Sequence, residues 1–462
     1  MDTKKTNIYF VGAGGIGMAA LERYFLSQGC KVAGYDRTPS ALTKALEEEG
    51  VNIVYDDDIN LIPEEFKNPD TTLVVYTPAI PNDHKGLNFF RNGGFEILKR
   101  AAVLGLITRG SKGLCFAGTH GKTTTSSMAA HILNTCEVGC NAFLGGILRN
   151  YNSNLLLSET SPYSVIEADE YDRSFHQLTP YIAVITSTDP DHLDIYGTEE
   201  AYLESFAHFT ELIREDGALV LHEGLKVKPR VAPGVKVYTY SRDSGDFHAQ
   251  NIRRANGSIT FDFVACDGSI IKDIELGVPV EINIENAIAS LAGCFLTGDM
   301  QPEKAAQAMA SFMGPKRRFE FWLKEQGDNG RAIIDDYAHH PDELTASINS
   351  VKSLYPNRKI TVAFQPHLYS RTRDFALEFA HALSLADDVI LLNIYPAREL
   401  PIEGVSSKII FDEITTDSKI LIDKEELVDT IKNHNIDILL TVGAGDICNY
   451  LPQICDIVTN NE

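Results

Sequence analysis

Short apolar runs alternate with helical patterns along the whole 462-residue chain. The apolar run NIYFVGAG near the start is followed by GMAALERYFLSQG, whose apolar positions recur with the period of a helix. KVAGYD and TTLVVYTPAI then read as further strands. This order predicts parallel strands joined by crossover helices.

Two more groups with the same alternation follow, one beginning near Thr108 with GLCFAG and one beginning near Gly314 with RAIIDDYAHHP. A chain of this length is too long for one hydrophobic core. We therefore expect an α/β protein with three domains. They are a Rossmann-like domain at 1–108, a central P-loop ATPase-like α/β domain at 109–313 and a C-terminal Rossmann-like α/β domain at 314–462.

Composition and charge exclude several classes of protein but do not indicate a function. The chain is 44% hydrophobic and 23% charged, which is typical of a folded protein rather than a disordered one. Its net charge of −23 argues against nucleic acid and anionic membranes as partners. No signal peptide or membrane span is recognisable, and the eight cysteines are scattered as in reduced proteins, so we expect a cytoplasmic location.

The first chemical motif is a glycine fingerprint between the first predicted strand and helix. Gly12, Gly14 and Gly17 form G-x-G-x-x-G, with Gly15 inside it, and Asp36 ends the next strand. Such glycines let the backbone approach a diphosphate at the helix amino terminus. NAD, FAD and a UDP-sugar fit this pattern equally well, and a tight turn without a ligand is the alternative.

A second motif, GTHGKTTT, follows the strand GLCFAG and precedes a helix. Its G-x-x-G-K-T spacing is two residues shorter than the usual phosphate-binding loop. Lys122 is placed to reach the β- and γ-phosphates of ATP, and the Thr123 hydroxyl to ligate Mg²⁺. The candidate nucleotide ligands in this loop are Gly118, Thr119, His120, Gly121, Lys122, Thr123 and Thr124.

Acidic residues end the next two predicted strands of the central domain, in EADEYD and STDPDHLDIYG. Carboxylates at strand ends beside a phosphate loop are candidate Mg²⁺ ligands, and solvated acidic loops are the alternative. His192 could be a metal ligand or a proton acceptor. The carboxylates of the two segments are Glu167, Asp169, Glu170, Asp172, Asp189, Asp191 and Asp194.

Two further groups of polar residues complete the pattern. Asn283 and Asn286 lie one helical turn apart, and their amides could read the donor and acceptor edge of adenine. Tyr337, His339 and Arg371 lie in loops after predicted strands of the third domain. Cationic and aromatic loops beside an ATP site fit a carboxylate substrate better than zinc.

These motifs together resemble the Mur ligases, ATP-dependent amide-forming enzymes of peptidoglycan synthesis. The resemblance spans nearly the whole chain, and the motifs occur in the order of the family. They are GxGxxGM at 12–18, GTHGKTTT at 118–125, EADE at 167–170, DPDH at 189–192, NxxN at 283–286, RRFE at 317–320, DDYAHHP at 335–341, FQPHxYSRT at 364–372 and PARExPIxGVSS at 396–407.

The resemblance implies a reaction and a role for each domain. ATP would phosphorylate the lactyl carboxylate of UDP-N-acetylmuramate, and L-alanine would attack the acyl phosphate, because the last three motifs resemble members that add the first amino acid. The first domain would bind the UDP-sugar, the central domain ATP and the third domain the amino acid. NAD is therefore not expected. ATP and Mg²⁺ would be the cofactors, and small molecules the only partners of a monomer or homodimer.

The resemblance also implies roles for individual residues. Lys122, Glu167 and His192 would be catalytic, with Thr123, Glu167 and His192 as Mg²⁺ ligands. Arg318 and Asp336 would complete the ATP site. Two positions depart from the family: Ile282 stands where a histidine is usual, and Leu368 where the alanine-adding members carry arginine.

Three alternatives stay open at this point. The nearest is a recycling ligase that joins a ready-made tripeptide to UDP-N-acetylmuramate. An NAD-dependent dehydrogenase would explain the first fingerprint but leave the Gly-Lys-Thr loop and the acidic strand ends without a purpose. A non-catalytic nucleotide-binding regulator would not need the full set of Lys122, Glu167 and His192.

Overall fold

A computed structural model describes residues 5–77, 80–191, 193–255, 257–325, 327, 329–397 and 399–460. The chain forms two compact units. The first comprises Met1–Asn251, Phe261–Ile274 and Ile284–Phe312, and the second comprises Ile252–Thr260, Glu275–Asn283 and Met313–Glu462. No helix in the described ranges is long and apolar enough to cross a membrane.

The first unit begins with a five-stranded parallel sheet in the order β3-β2-β1-β4-β5. Its central strand is fully buried, as its continuous apolar run predicts. The strands are β1 Asn7–Val11, β2 Lys31–Tyr35, β3 Asn52–Val54, β4 Thr72–Tyr76 and β5 Glu96–Lys99. The helices are α1 Ile16–Ser27, α2 Ala41–Glu48, α3 Lys85–Asn92 and α4 Arg100–Gly110.

A seven-stranded sheet follows in the order β12-β11-β10-β6-β9-β7-β8. All pairings are parallel except that of β7 with β8. The strands are β6 Lys112–Ala117, β7 Asn141–Leu148, β8 Ser153–Leu156, β9 Tyr163–Glu167, β10 Ile182–Ile185, β11 Ala218–His222 and β12 Lys236–Tyr240. The helices are α5 Lys122–Thr135, α6 Leu193–Tyr196 and α7 Glu199–Glu211.

The two sheets place both glycine motifs at the same kind of position. β1 lies between β2 and β4, and β6 lies between β10 and β9, so each is a point where the strand order reverses. Ligands of open parallel sheets bind beyond the carboxyl ends of strands at such points. The fingerprint follows β1 and the GTHGKTTT loop follows β6, as the sequence pattern predicts.

A three-stranded sheet and two helices lie between the second and the last sheet in the chain. The strands pair in the order β13-β14-β15. Their bounds are β13 His248–Ala255, β14 Ser258–Val264 and β15 Ile270–Glu275, and the helices are α8 Ile282–Phe295 and α9 Pro302–Ser311.

The second unit contains a six-stranded sheet in the order β16-β17-β21-β18-β19-β20. It is parallel except for the edge strand β16. The strands are β16 Glu320–Lys324, β17 Ala332–Asp336, β18 Ile360–Phe364, β19 Asp388–Leu392, β20 Ser418–Ile422 and β21 Ile438–Val442. The helices are α10 Pro341–Leu354, α11 Tyr369–Asp374, α12 Ala376–Leu383, α13 Lys408–Phe411, α14 Leu427–Lys432 and α15 Leu451–Asn460.

Candidate functional site

The GTHGKTTT loop turns sharply from β6 into α5. Gly118 has φ +136°, and a Cβ there would lie 2.2 Å from Thr186 Oγ1, so the turn requires glycine. Thr119 Oγ1 donates to the Asp189 carbonyl at 2.7 Å, and the His120 amide donates to Ser187 Oγ at 2.8 Å. These bonds tie the loop to the end of β10, which fixes its shape without a longer glycine run.

Helix α5 begins at Lys122, and no side chain caps its first turn. The amide groups at a helix start carry partial positive charge and have no partner within the helix, so they favour an anion. The half-buried Thr123 and Thr124 belong to this first turn. The loop and helix start therefore have the form of a phosphate cradle despite the short spacing.

The ammonium of Lys122 is held at the base of the loop. Its Nζ donates to the Gly118 carbonyl at 2.6 Å and to Glu170 Oε1 at 2.9 Å. The Lys122 side chain is 14% exposed and that of Glu170 is 1% exposed. Burial raises the pKa of Glu170, and the nearby Lys122 charge opposes that rise. Glu170 thus supplies the countercharge for the lysine, a role that the sequence alone did not assign.

Thr123 and Glu167 meet on the other side of the loop. Thr123 Oγ1 donates to Glu167 Oε1 at 3.0 Å, and the Gly145 amide donates to Oε2 at 3.0 Å. Burial raises the pKa of Glu167, opposed first by the Lys122 charge. In the described ranges no group of three or more His, Cys, Asp or Glu residues is suited to a metal ion. The hydroxyl and carboxylate oxygens still fit Mg²⁺, which takes few protein ligands and completes its shell with water and phosphate oxygens.

The other carboxylates of EADEYD have different partners. Arg100 Nη2 donates to Asp169 Oδ2 at 3.3 Å, and Lys99 Nζ donates to Asp172 Oδ2 at 2.9 Å. Asp172 itself has φ +50°, in an irregular 3₁₀ segment that begins at Tyr171. Glu167 and Glu170 therefore lie at the phosphate loop. The two aspartates form ion pairs with Lys99 at the end of β5 and Arg100 at the start of α4.

The two asparagines of the predicted adenine motif are both buried. Asn286 Oδ1 accepts a hydrogen bond from Thr125 Oγ1 at 3.2 Å, which links α8 to α5. Asn283 Nδ2 donates to the Val278 carbonyl at 3.0 Å. Each side chain is thus positioned by a contact of its own, and adenine binding stays a prediction. His192 lies outside the described residues.

The fingerprint turn after β1 is held by Asp36. Asp36 Oδ2 accepts the Gly14 amide at 2.7 Å, and Oδ1 accepts the Thr38 amide at 3.1 Å. Helix α1 begins at Ile16 after Gly15, and no side chain caps it. The carboxylate thus shapes the turn that contains Gly12 and Gly14, in addition to any contact with a nucleotide, and the uncapped helix start offers amides to an anion.

Aromatic and cationic side chains cluster at the strand ends of the second unit. His339 Nδ1 is 3.0 Å from the Tyr337 carbonyl, and the ring centroids of His339 and His367 are 6.1 Å apart. Arg371 Nη1 is 3.3 Å from His367 Nδ1, and Tyr395 stacks on the His367 ring at 5.9 Å. The structure therefore brings Tyr337, His339 and Arg371 together with His367, which the same strand end supplies, and with Tyr395.

Two neighbouring arginines in the RRFE motif have different surroundings. Arg317 Nε donates to the buried Asp335 at 3.3 Å, and its guanidinium lies over the Tyr337 ring at 4.9 Å. Arg318 is exposed. Asp336 ends β17, and burial raises the pKa of its carboxyl group, opposed in part by Arg318. Arg317 is a structural residue, and Arg318 is the one whose guanidinium is open to a ligand.

Three family models match the chain in sequence order. They are the Mur ligase family catalytic domain at residues 7–112, the Mur ligase middle domain at 116–294 and the Mur ligase glutamate ligase domain at 317–445. The chain belongs to the Mur ligase family. The resemblance, the three-domain α/β fold class and the assignment as a ligase that uses ATP are thereby confirmed.

Relatives and solved structures agree with this membership. UDP-N-acetylmuramate–L-alanine ligase from Parabacteroides distasonis is 60% identical over 99% of this chain and 98% of its own length. The enzyme of the same name from Phocaeicola vulgatus is 57% identical over 98% of each. The crystal structure of UDP-N-acetylmuramate-alanine ligase from Thermotoga maritima matches 99% of this chain and 100% of its own, with a TM-score of 0.79 and 26% identity.

A second solved structure matches with a lower TM-score and identity. The crystal structure of a murein peptide ligase from Psychrobacter arcticus covers 99% of each chain, with a TM-score of 0.63 and 20% identity. At that identity the match shows the shared fold and no more.

Proposed function

We propose that this Mur ligase joins the lactyl carboxylate of UDP-N-acetylmuramate to the amino group of L-alanine in peptidoglycan synthesis, with conversion of ATP to ADP and phosphate. The observation that carries the proposal is the 60% identity, over 99% of the chain, to an enzyme named for that reaction. The motifs FQPHLYSRT and PARELPIEGVSS support the same substrate. The free state of all eight cysteines is in keeping with a cytoplasmic enzyme.

The chemistry requires activation of the carboxylate. A lactyl carboxylate oxygen attacks the γ-phosphorus, the bond to the β-phosphate oxygen breaks, and ADP leaves. The amine of L-alanine then adds to the acyl phosphate carbon, phosphate departs, and the ammonium proton is lost to solvent or a base. Phosphoryl transfer between two anions depends mainly on electrostatic stabilisation.

The phosphate loop supplies that stabilisation. Lys122 would exchange its Glu170 and carbonyl contacts for phosphate oxygens, and the uncapped start of α5 would bind the β-phosphate. Asn283, Asn286, Arg318 and Asp336 would complete the ATP-binding residues. The backbone amides at the start of α5, the Lys122 ammonium and the side-chain amides of the two asparagines would thus bind the nucleotide.

Thr123 and Glu167 would hold a Mg²⁺ ion, and His192 would serve a second one, as the family resemblance implies. A divalent ion in such a site neutralises phosphate charge and lowers the repulsion between nucleophile and phosphoryl group. Thr123 already donates to Glu167, so ion binding would turn that hydroxyl oxygen into a ligand beside the carboxylate.

The other two substrates have their own residues. Gly12, Gly14, Gly15, Gly17 and Asp36 would form the UDP-sugar site, within a functional segment at 1–108. Tyr337, His339 and Arg371 would orient the amino acid within a segment at 314–462, and 109–313 would bind ATP.

The competing proposal is a recycling ligase that uses L-alanyl-γ-D-glutamyl-diamino acid tripeptide. The experiment is ADP release from ATP, Mg²⁺ and UDP-N-acetylmuramate, with either L-alanine or the tripeptide as the amine. We expect turnover with L-alanine and none above background with the tripeptide. Turnover with the tripeptide alone would overturn the proposal, and Leu368 would then be the residue to examine first.

A further inference from the structure

Arg100 contacts both the fingerprint, at Gly17, and the acidic segment EADEYD, at Asp169. It is the first residue of α4, directly after β5. A Cβ on Gly17 would lie 2.0 Å from Arg100 Nη1, so the guanidinium packs against the last glycine of the fingerprint. No larger residue could stand at position 17 with Arg100 in this place. The third glycine thus makes room for a cation at the start of α1.

The guanidinium has hydrogen-bonding capacity left. It has five N–H donors, and within the described part of the chain it donates one hydrogen bond, to Asp169. The side chain of Arg100 is 29% exposed, so a ligand can reach it. Helix α1 next to it begins without a side-chain cap. The guanidinium donors of Arg100 therefore lie beside the uncapped amino terminus of α1.

Asp169 connects this region to the phosphoryl-transfer residues. Its Oδ1 accepts the Tyr171 amide at 3.0 Å while its Oδ2 accepts from Arg100. The next residue, Glu170, pairs with Lys122. Lys99 pairs with Asp172 two residues further on. Lys99 and Arg100 therefore bind aspartates of the acidic segment, and Lys122 of the phosphate loop binds its Glu170.

We infer that Arg100 is a side-chain ligand for the diphosphate of the sugar nucleotide, and that its bond to Asp169 ties occupancy of that site to the acidic segment beside Lys122. The inference rests on the proposed function and adds a residue to it. A guanidinium binds phosphate oxygens in a forked geometry, which suits a diphosphate at the start of α1. Because Asp169 uses one edge of the guanidinium, the remaining donors stay available to the ligand.

The test measures nucleotide affinity by calorimetry in Arg100→Gln, with UDP as the probe for the sugar-nucleotide site and ADP as the probe for the other site. A hydrogen bond to a charged group contributes enough that UDP should bind about 10-fold or more weakly. ADP affinity should fall much less than UDP affinity, because Arg100 is linked to the phosphate loop only through Asp169 and the neighbouring Glu170. Arg109→Gln, at the exposed far end of the same helix, is the matched control and should leave both affinities unchanged.

Asp169→Asn separates ligand binding from support of the fold. It removes the ion pair but keeps the guanidinium, so UDP affinity should be kept while turnover falls. If Arg100 acted only as a structural partner of Asp169, both variants would weaken UDP equally, and that result would overturn the inference. Normal UDP affinity in Arg100→Gln would overturn it as well.

Arg100→Lys covers the case in which the glutamine variant does not fold. It keeps the charge but loses the fork, so UDP should bind several-fold more weakly, and an unchanged affinity would contradict the inference. Turnover by the unmodified protein with UDP-N-acetylmuramate and L-alanine is measured alongside. If that turnover is present and Arg100 variants bind UDP normally, the inference fails alone; if the unmodified protein neither turns over nor binds UDP, the proposed function fails with it.

Discussion

Replacing Lys122 with alanine should affect activity and stability in separable ways. Loss of one group that stabilises charge in the transition state lowers turnover by about 10² to 10³-fold. The same change leaves the Glu170 carboxylate, which is 1% exposed, without its countercharge. Removing one partner of a buried ion pair costs about 3 to 5 kcal/mol of unfolding free energy.

The stability loss should depend on pH with a definite sign. Burial already raises the pKa of Glu170, and Lys122 is what opposes that rise. Without Lys122 the pKa in the folded state rises further above that of the unfolded state. Such a group adds stability at low pH and loses it as pH rises through the folded pKa. Lys122→Ala should therefore lose more stability at about pH 8 than at about pH 5.

Urea denaturation at the two pH values, followed by far-ultraviolet circular dichroism, measures this difference. Tryptophan fluorescence is unsuitable because the single tryptophan, Trp322, belongs to the second unit. The double variant Lys122→Ala/Glu170→Gln should recover most of the pH-dependent loss but none of the turnover. Lys228→Ala, on the surface of the same unit, is the control. Equal losses at both pH values, or no recovery in the double variant, would refute the role given to Glu170.

The remaining predictions concern three other positions. Glu167→Gln should require a higher Mg²⁺ concentration for half-maximal turnover because it removes a charged ligand oxygen, and an unchanged Mg²⁺ titration would exclude Glu167 from that role. Gly14→Val places a Cβ 2.8 Å from Asp36 Oδ2, so it should raise the KM for the UDP-sugar and leave ATP affinity intact; loss of ATP affinity alone would contradict the division of sites. Burial raises the pKa of Asp335 to about 6, so this carboxyl stabilises the fold at low pH and less so as pH rises through about 6. We therefore expect the unfolding free energy of Asp335→Asn, measured by urea denaturation relative to the unmodified protein, to rise by about 2 to 3 kcal/mol from pH 4 to pH 8. If the two proteins changed in parallel with pH, this prediction would be wrong.

The sequence predicts the sheets and the position of both glycine motifs well because these depend on local patterns. Continuous apolar runs produced buried parallel strands at β1 and β6, and the loops after them contain the fingerprint and the phosphate loop. Thr123 and Glu167 also meet as expected, because the carboxyl ends of adjacent strands lie at one edge of a sheet.

The partners of individual charges could not be read from spacing. The four carboxylates of EADEYD were equivalent candidates in the sequence, but an irregular turn with positive φ at Asp172 directs them to different cations. Arg100 and Lys99 pair with this segment from about 70 residues earlier in the chain, a distance at which no sequence pattern operates. Asp36 was expected only as part of the fingerprint, and the structure shows that it accepts a hydrogen bond from the Gly14 amide.

Transfer of an isotope from the substrate carboxylate to phosphate tests the account most directly. UDP-N-acetylmuramate labelled with ¹⁸O in the lactyl carboxylate is incubated with ATP, Mg²⁺ and L-alanine, and the released phosphate is examined by mass spectrometry. Formation of an acyl phosphate requires one carboxylate oxygen to leave with phosphorus, so we predict phosphate that carries one ¹⁸O atom. Amide formation with unlabelled phosphate would contradict activation of the carboxylate by ATP.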